Sequence, residues 1–260
     1  MISGTKSEDI IEVINKIPQS IRNKVKEVTV DMAANMHLVI KRCFRKADSV
    51  VDRFHVQKLA LDGLDQLRVS RRWEAIDDEN RGMAQARING IQYVPSTFEN
   101  GDTLKQLLLR SRHLLFKSRE KWSDSQKKRA RILFGLYPEI EKAYNITNNL
   151  RCIFNQRYTK DVAKAKLALW YNKTEEFIDE YKEIRFKYKK DPTKTISNPF
   201  NSILNSIQSY SDKILNFFNN RSTNASAECF NSKLKAFRAD MRGVSDIPFF
   251  LYRLANIYAR

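Results

Sequence analysis

Glycine and proline are scarce in this chain, at 7 and 6 of 260 residues. Such sparse punctuation disfavours a strand-rich sandwich, whose many tight turns consume both residues, and favours long helices. Cysteine is scarcer still: Cys43, Cys152 and Cys229 lie far apart and form no CxxC pair. That argues against a disulfide framework and against a zinc ribbon, and it suits a reducing cytosol. No apolar run approaches the roughly 18–20 residues that span a bilayer. The opening MISGTKSEDIIEVINKIP carries acids early and has no continuous apolar segment of the signal-peptide kind. A soluble cytoplasmic protein is expected, with no membrane association. Neither a Walker-type loop nor a Ser/His/Asp arrangement is recognisable.

What is present is apolar material and positive charge. Hydrophobic residues make up 42% and aromatics 11%, enough for a core and too much for a disordered chain. Lys and Arg number 47 against 30 Asp and Glu, a formal net charge of +17. A field of that size attracts polyanions, nucleic acid first among them. Charge alone also fits ribosomal, RNA-binding or membrane-surface proteins.

Periodicity gives the layout. Ser7, as N-cap, opens a helix to Lys16 with Ile10, Val13, Ile14 and Ile17 on one face, and Pro18 stops it. The β-branched run Val25–Val30 reads as a short strand ending on Asp31, Ala33–Phe44 as a helix, and Ser49–Val51 as a second strand running into Asp52-Arg-Phe-His-Val56. That order predicts a small α/β layer with a parallel pair of strands. Helical character follows from about Gln57 to Arg87, through Leu104–Lys117 and Ser123–Leu136, and from Pro138 to about Lys190, with a loop at Gly90–Gly101. A basic stretch from Lys187 to Pro192 breaks the pattern. Helices at Ile203–Phe218 and Ala225–Arg242 and a short terminal one complete the chain. The fold expected is mainly α with a small α/β part.

Three constellations bear on chemistry. In Arg221-Ser-Thr-Asn-Ala-Ser-Ala-Glu-Cys-Phe-Asn-Ser-Lys-Leu-Lys235, helical spacing puts Asn224, Glu228, Asn231 and Lys235 on one polar stripe. Ala227, Phe230, Leu234 and Phe237 form an adjoining apolar stripe suited to docking on a sheet. A Glu among amides and bases can bind a metal beside phosphate, and the same pattern fits an ordinary solvated helix face. Asp31 stands at the C-terminal end of a strand, where α/β folds place their sites, and it also fits the N-cap of the next helix. Asp52 and His55, three apart, can ligate a metal or brace a turn, and without a neighbouring His or Cys pair bracing is the better reading. His37 and His113 read as plain surface or helix residues.

Taken together, Val-Thr-Val-Asp31-Met, Asp52-Arg-Phe-His-Val56 and the segment around Glu228 resemble a group of bacterial insertion-sequence transposases with a DDE catalytic core. The resemblance covers nearly the whole chain, and it implies an RNase H-like core interrupted by a large all-α insertion. The parts would be a partial core at 1–58, the insertion at 59–202, and core helices carrying Glu228 at 203–260. Asp31 would be the second catalytic Asp, Glu228 the catalytic Glu, and Asp52 and His55 the group's accessory Asp-x-x-His element. The implied chemistry is cleavage and transfer of DNA strands with two divalent ions, Mg²⁺ or Mn²⁺, about 4 Å apart. The implied partners are transposon ends and target DNA, bound by a homo-oligomer. Arg221, Asn224, Asn231, Lys233, Lys235, Arg238 and Arg242 are candidates for DNA contacts.

In that group the first catalytic Asp lies on a strand preceding the first helix. The acids upstream of Asp31 are Glu8, Asp9, Glu12 and Glu27; the first three fall on the helix and Glu27 shares a strand with Asp31. None has the required setting. The expectation is the C-terminal part of a transposase, inactive on its own, with an exposed sheet edge that favours aggregation. The competing readings are a non-catalytic basic nucleic-acid-binding remnant and, further behind, a nuclease acting alone.

Overall fold

The computed structural model describes residues 6–187, 198–241 and 244–258. Arg242 and most of the basic stretch before Pro192 therefore lie outside the described residues. In chain order the elements are α1 (Ser7–Asn15), α2 (Gln19–Arg22), β1 (Glu27–Val30), α3 (Ala34–Cys43), β2 (Asp48–Val51), α4 (Arg53–Ile88), α5 (Leu104–Arg110), α6 (Arg112–Leu115), α7 (Asp124–Leu136), α8 (Pro138–Asn155), α9 (Lys160–Lys187), α10 (Pro199–Ser209), α11 (Ser211–Leu215), α12 (Phe217–Asn220), α13 (Ala225–Asp240) and α14 (Ile247–Tyr258). The chain is mainly α with a small α/β part, as the sparse Gly and Pro predict. It forms two compact units, residues 1–53 with 212–260, and residues 54–211.

In the first unit β1 and β2 pair in parallel, Glu27 with Asp48 through Val30 with Val51. Parallel neighbours need a crossover, and α3 supplies it. Val50 and Val51 are fully buried. Beside them Ile11 of α1 packs on Val39 and Cys43 of α3, flanked by Ile10, Ile14 and Phe44. Ser7 does not cap α1: Lys6 holds the N-cap position without a side-chain bond, and the Ser7 hydroxyl donates instead to the Asn35 carbonyl. A buried cation finishes α3. Arg22 donates through Nη1 to the carbonyl of Cys43 at 2.7 Å and through Nε to that of Ile17 at 2.9 Å. It thereby satisfies a carbonyl that the helix end leaves open and places positive charge on the negative end of the helix dipole.

The second unit is all-helical. Leu64, Leu107, Leu108, Leu114, Leu133, Ile140, Tyr144, Leu150, Phe154, Leu167 and Phe200 are among its fully buried large side chains. Capping boxes at Thr103/Gln106 and Ser123/Gln126 set the starts of α5 and α7. Trp122 and Trp170 each place the indole N–H on a carbonyl, of Leu114 and Ile146. Two long helical runs predicted from periodicity are divided. The run from Pro138 breaks at Gln156, which is extended, and α9 starts afresh where the Thr159 hydroxyl accepts from the Val162 N–H. The run Ile203–Phe218 begins earlier, because Asn198 caps α10 ahead of Pro199, and it breaks at Tyr210. There the Ser209 hydroxyl bonds back to the Asn205 carbonyl, a bond that loosens a helix.

At Gly63, in the middle of α4, a Cβ would stand 2.4 Å from Cδ1 of Ile203 and 3.5 Å from Cε2 of Phe200. Gly63→Val is expected to destabilise this unit by about 1–3 kcal/mol through overpacking. A urea midpoint that falls while the slope stays constant would register it.

Candidate active site

Asp31 and Asp52 directly follow Val30 and Val51, the last paired residues of adjacent parallel strands. The pairing extends one step further, since the Asp52 N–H donates to the Val30 carbonyl at 2.9 Å. Both carboxylates thus stand at the C-terminal edge of the strand pair, where α/β layers place their sites. Their surroundings differ. Asp52 is 2% exposed, whereas Asp31 is half-buried. The Asp31 Oδ1 accepts the N–H of Ala33 at 3.0 Å, a turn two residues long. The N-cap of α3 is Ala33, so Asp31 shapes the turn ahead of the helix and does not cap it.

Glu228 comes from the other segment of the same unit. It lies exposed in the first turn of α13, favoured there by the helix dipole. A carboxylate oxygen of Asp52 and one of Glu228 lie within 4.8 Å of each other. The junction before α13 fixes that approach. Arg221 adopts the left-handed conformation at φ 57°, and among the described residues it is the one non-glycine with positive φ. Its guanidinium lies 5.0 Å from the centre of the Phe217 ring. Asn220 and Ser222, on either side, both donate to the carboxylate of Glu27 on β1. Two residues later the Asn224 N–H donates to Oδ2 of Asp52 at 3.2 Å. Asp52 therefore meets the start of α13 and Glu228 together, while Asp31 does not join those two in a cluster of three.

The remaining predicted residues divide by exposure. Asn231, Lys233, Lys235 and Arg238 are exposed along α13, and Asn224 is half-buried at its N-cap. His55 sits in the first turn of α4, so the Asp-Arg-Phe-His motif opens a helix and is not an extension of strand β2. The apolar stripe of α13 does not dock on the sheet. No residue of α13 is buried, and Phe230 and Phe237 meet Tyr258 and Phe250 of α14 edge-on or stacked. A two-stranded sheet offers too little surface to cover a helix of that length, and the aromatic residues of α14 are near at hand.

Sequence reasoning passed over two residues. His37, read as a plain helix residue, is half-buried, and its Nδ1 shares a 3.0 Å hydrogen bond with the Ser49 hydroxyl on β2. Burial, with the charge of Lys213, pushes its pKa down, and Asp31 opposes the shift. Glu27, set aside as a misplaced acid, holds the junction ahead of α13. Strand alternation could have found it, since Glu27 lies an even number of residues before Asp31, the period that puts side chains on one face of an extended chain.

A family model described as a transposase, of the ISL3 group of DDE transposases, matches residues 1–254. The chain belongs to this transposase family. Neither a curated protein nor a solved structure matches it. Among the described residues no helix is long and apolar enough to cross a membrane.

Proposed function

We propose that this chain carries the second Asp and the Glu of a metal-dependent strand-transfer centre acting in DNA transposition, with Asp31 and Glu228 as metal ligands. The observation that carries the reading is the meeting of two chain segments about 170 residues apart, as Asn224 lies 172 residues from the Asp52 that its amide contacts. That meeting brings the Glu228 carboxylate to the C-terminal edge of the strands that bear Asp31 and Asp52. Asp31, Asp52 and Glu228 offer carboxylate oxygens, which suit Mg²⁺ or Mn²⁺ and not a thiol-seeking metal. Two carboxylates as close as those of Asp52 and Glu228 repel, and a divalent cation relieves that repulsion. The residues therefore fit the ion that the family implies. When bound, such ions activate a water or a 3′-hydroxyl and stabilise the leaving oxygen of the phosphodiester.

The chain's own groups have three tasks on this reading. Asp31 and Glu228 hold charge at the strand edge. Asp52, buried, orients the start of α13. Arg221, Asn224, Asn231, Lys233, Lys235 and Arg238 neutralise or bond DNA phosphates without reading sequence. The frame would be RNase H-like, with core parts at 1–58 and 203–260 and an insertion at 59–202, in a cytoplasmic protein that binds transposon ends as an oligomer.

Mn²⁺ titration of the purified chain, followed by electron paramagnetic resonance, tests the site. Glu228→Gln and Asp31→Asn are each expected to weaken binding by more than about tenfold. Wild-type affinity in both variants would leave the basic non-catalytic remnant as the better reading, supported by the exposed Lys233, Lys235 and Arg238.

A further inference from the structure

Glu27 serves no purpose in the reading above, yet it makes the longest-range side-chain bonds of its strand. It sits half-buried at the start of β1 and accepts from Nδ2 of Asn220 and Oγ of Ser222. These two donors flank Arg221, the left-handed residue at which the backbone turns from α12 towards α13. A left-handed non-glycine residue persists only where its surroundings hold it. Here the surroundings are the carboxylate of Glu27 on one side and the Phe217 ring under the Arg221 guanidinium on the other. From that turn the chain runs three residues to Asn224, whose N–H reaches Asp52, and four more to Glu228.

α13 itself has no buried residue to anchor it. Apart from its aromatic contacts with α14, it is tied to the strand edge by bonds at its N-terminal end, and they form a clamp with two points. Asp52 grips the amide of the N-cap residue Asn224, and Glu27 grips the turn before it. Glu27 stands on β1, which leads into Asp31, and Asp52 directly follows β2. Hydrogen bonds to an ionised carboxylate are the stronger kind, which suits a junction with little apolar burial.

We infer that Glu27 is a positioning residue: its carboxylate, by gripping Asn220 and Ser222, sets the turn at Arg221 and so holds Glu228 against Asp52 at the strand edge. This rests on the proposed metal centre for its purpose, while the clamp can be measured without it.

Hydrogen exchange of the full chain is the first readout. Glu27→Ala is expected to speed amide exchange across residues 224–231 while leaving residues 34–43 of α3 at the wild-type rate. Glu27→Gln keeps one acceptor oxygen and is expected to lie between the two. Ser222→Ala should add little to Glu27→Ala, because both remove the same bond. Mn²⁺ affinity is the second readout, with a loss on the order of tenfold expected for Glu27→Ala and a partial recovery for Glu27→Gln. Wild-type exchange at 224–231 in Glu27→Ala would overturn the clamp whatever the metal result. Faster exchange with Mn²⁺ affinity unchanged, in a protein whose Glu228→Gln variant loses it, would overturn the link to the site. If wild type binds no Mn²⁺, the metal centre fails, and exchange alone decides whether Glu27 positions α13. Uniformly faster exchange in both segments would mean a general loss of stability and would also overturn it.

Discussion

On the proposed reading of the site, excision of a transposon that this chain helps to mobilise is expected to fall by at least about a thousandfold when Glu228 becomes Gln, with the protein itself left folded. The magnitude follows from the charge lost. Metal-borne stabilisation of a phosphoryl-transfer transition state amounts to several kcal/mol, and each 1.36 kcal/mol is a factor of about ten in rate. Folding should hardly respond, because Glu228 is exposed in the first turn of α13 and that helix buries no side chain. Its loss removes only the favourable interaction with the helix dipole, about 0.3–1 kcal/mol. A cell-based excision assay, with protein level and thermal midpoint measured in parallel, separates these effects. Excision within about tenfold of wild type at equal protein level would remove Glu228 from the chemistry.

Asp102→Ala is expected to act the opposite way, on stability, by about 3 kcal/mol in the helical unit. Asp102 is fully buried and sits between two guanidiniums. Arg129 donates from Nε to Oδ2 at 2.8 Å, and Arg110 donates from Nη1 to Oδ1. Asn100 adds a third bond, and the Phe98 N–H closes the loop onto the Asp102 carbonyl. Removing the carboxylate leaves Arg129, only 15% exposed, with buried charge and no counter-ion at that point. Arg110 is 53% exposed and regains water, which holds the expected cost at the lower end of the range for broken buried pairs. The same site gives a pH dependence. Burial alone would raise the carboxyl, but the bonds and charges of Arg129 and Arg110 together outweigh it and hold the group below its ordinary 3.8. A lowered acid contributes stability that is complete above the unfolded value and fades as pH falls through the folded one. Thermal midpoints of wild type should therefore drop below about pH 4 more steeply than those of Asp102→Asn. Parallel curves for the two proteins down to pH 3 would refute the assignment.

The strand pair, its parallel sense and the acids at its ends were legible because β-branched runs and helical periods are local signals. Val-Thr-Val before Asp31 and Ser-Val-Val before Asp52 mark strands by composition alone. The breaks inside the helical runs were not legible, because a hydroxyl bonding back, as at Ser209, leaves periodicity intact. The site was half-visible. Glu228 and Asp31 stood out by motif, but the grip of Asp52 on Asn224 joins positions 172 residues apart. Strand alternation marks the face of Glu27 but not its partners, which lie 193 and 195 residues away. The sheet docking expected for α13 failed because an apolar stripe says only that something covers it, and α14 was the nearer cover.

The left-handed turn at Arg221 has a consequence for how an anion would be felt there. Glycine would adopt that backbone without penalty, and this chain, poor in glycine, uses a cation. Bend and charge thus reside in one residue, with the guanidinium resting on Phe217. A phosphate that drew the guanidinium away would loosen a contact that helps hold the strained backbone. If Arg221 meets phosphate as proposed, ligand charge and chain geometry would be energetically linked at this residue, seven positions ahead of Glu228.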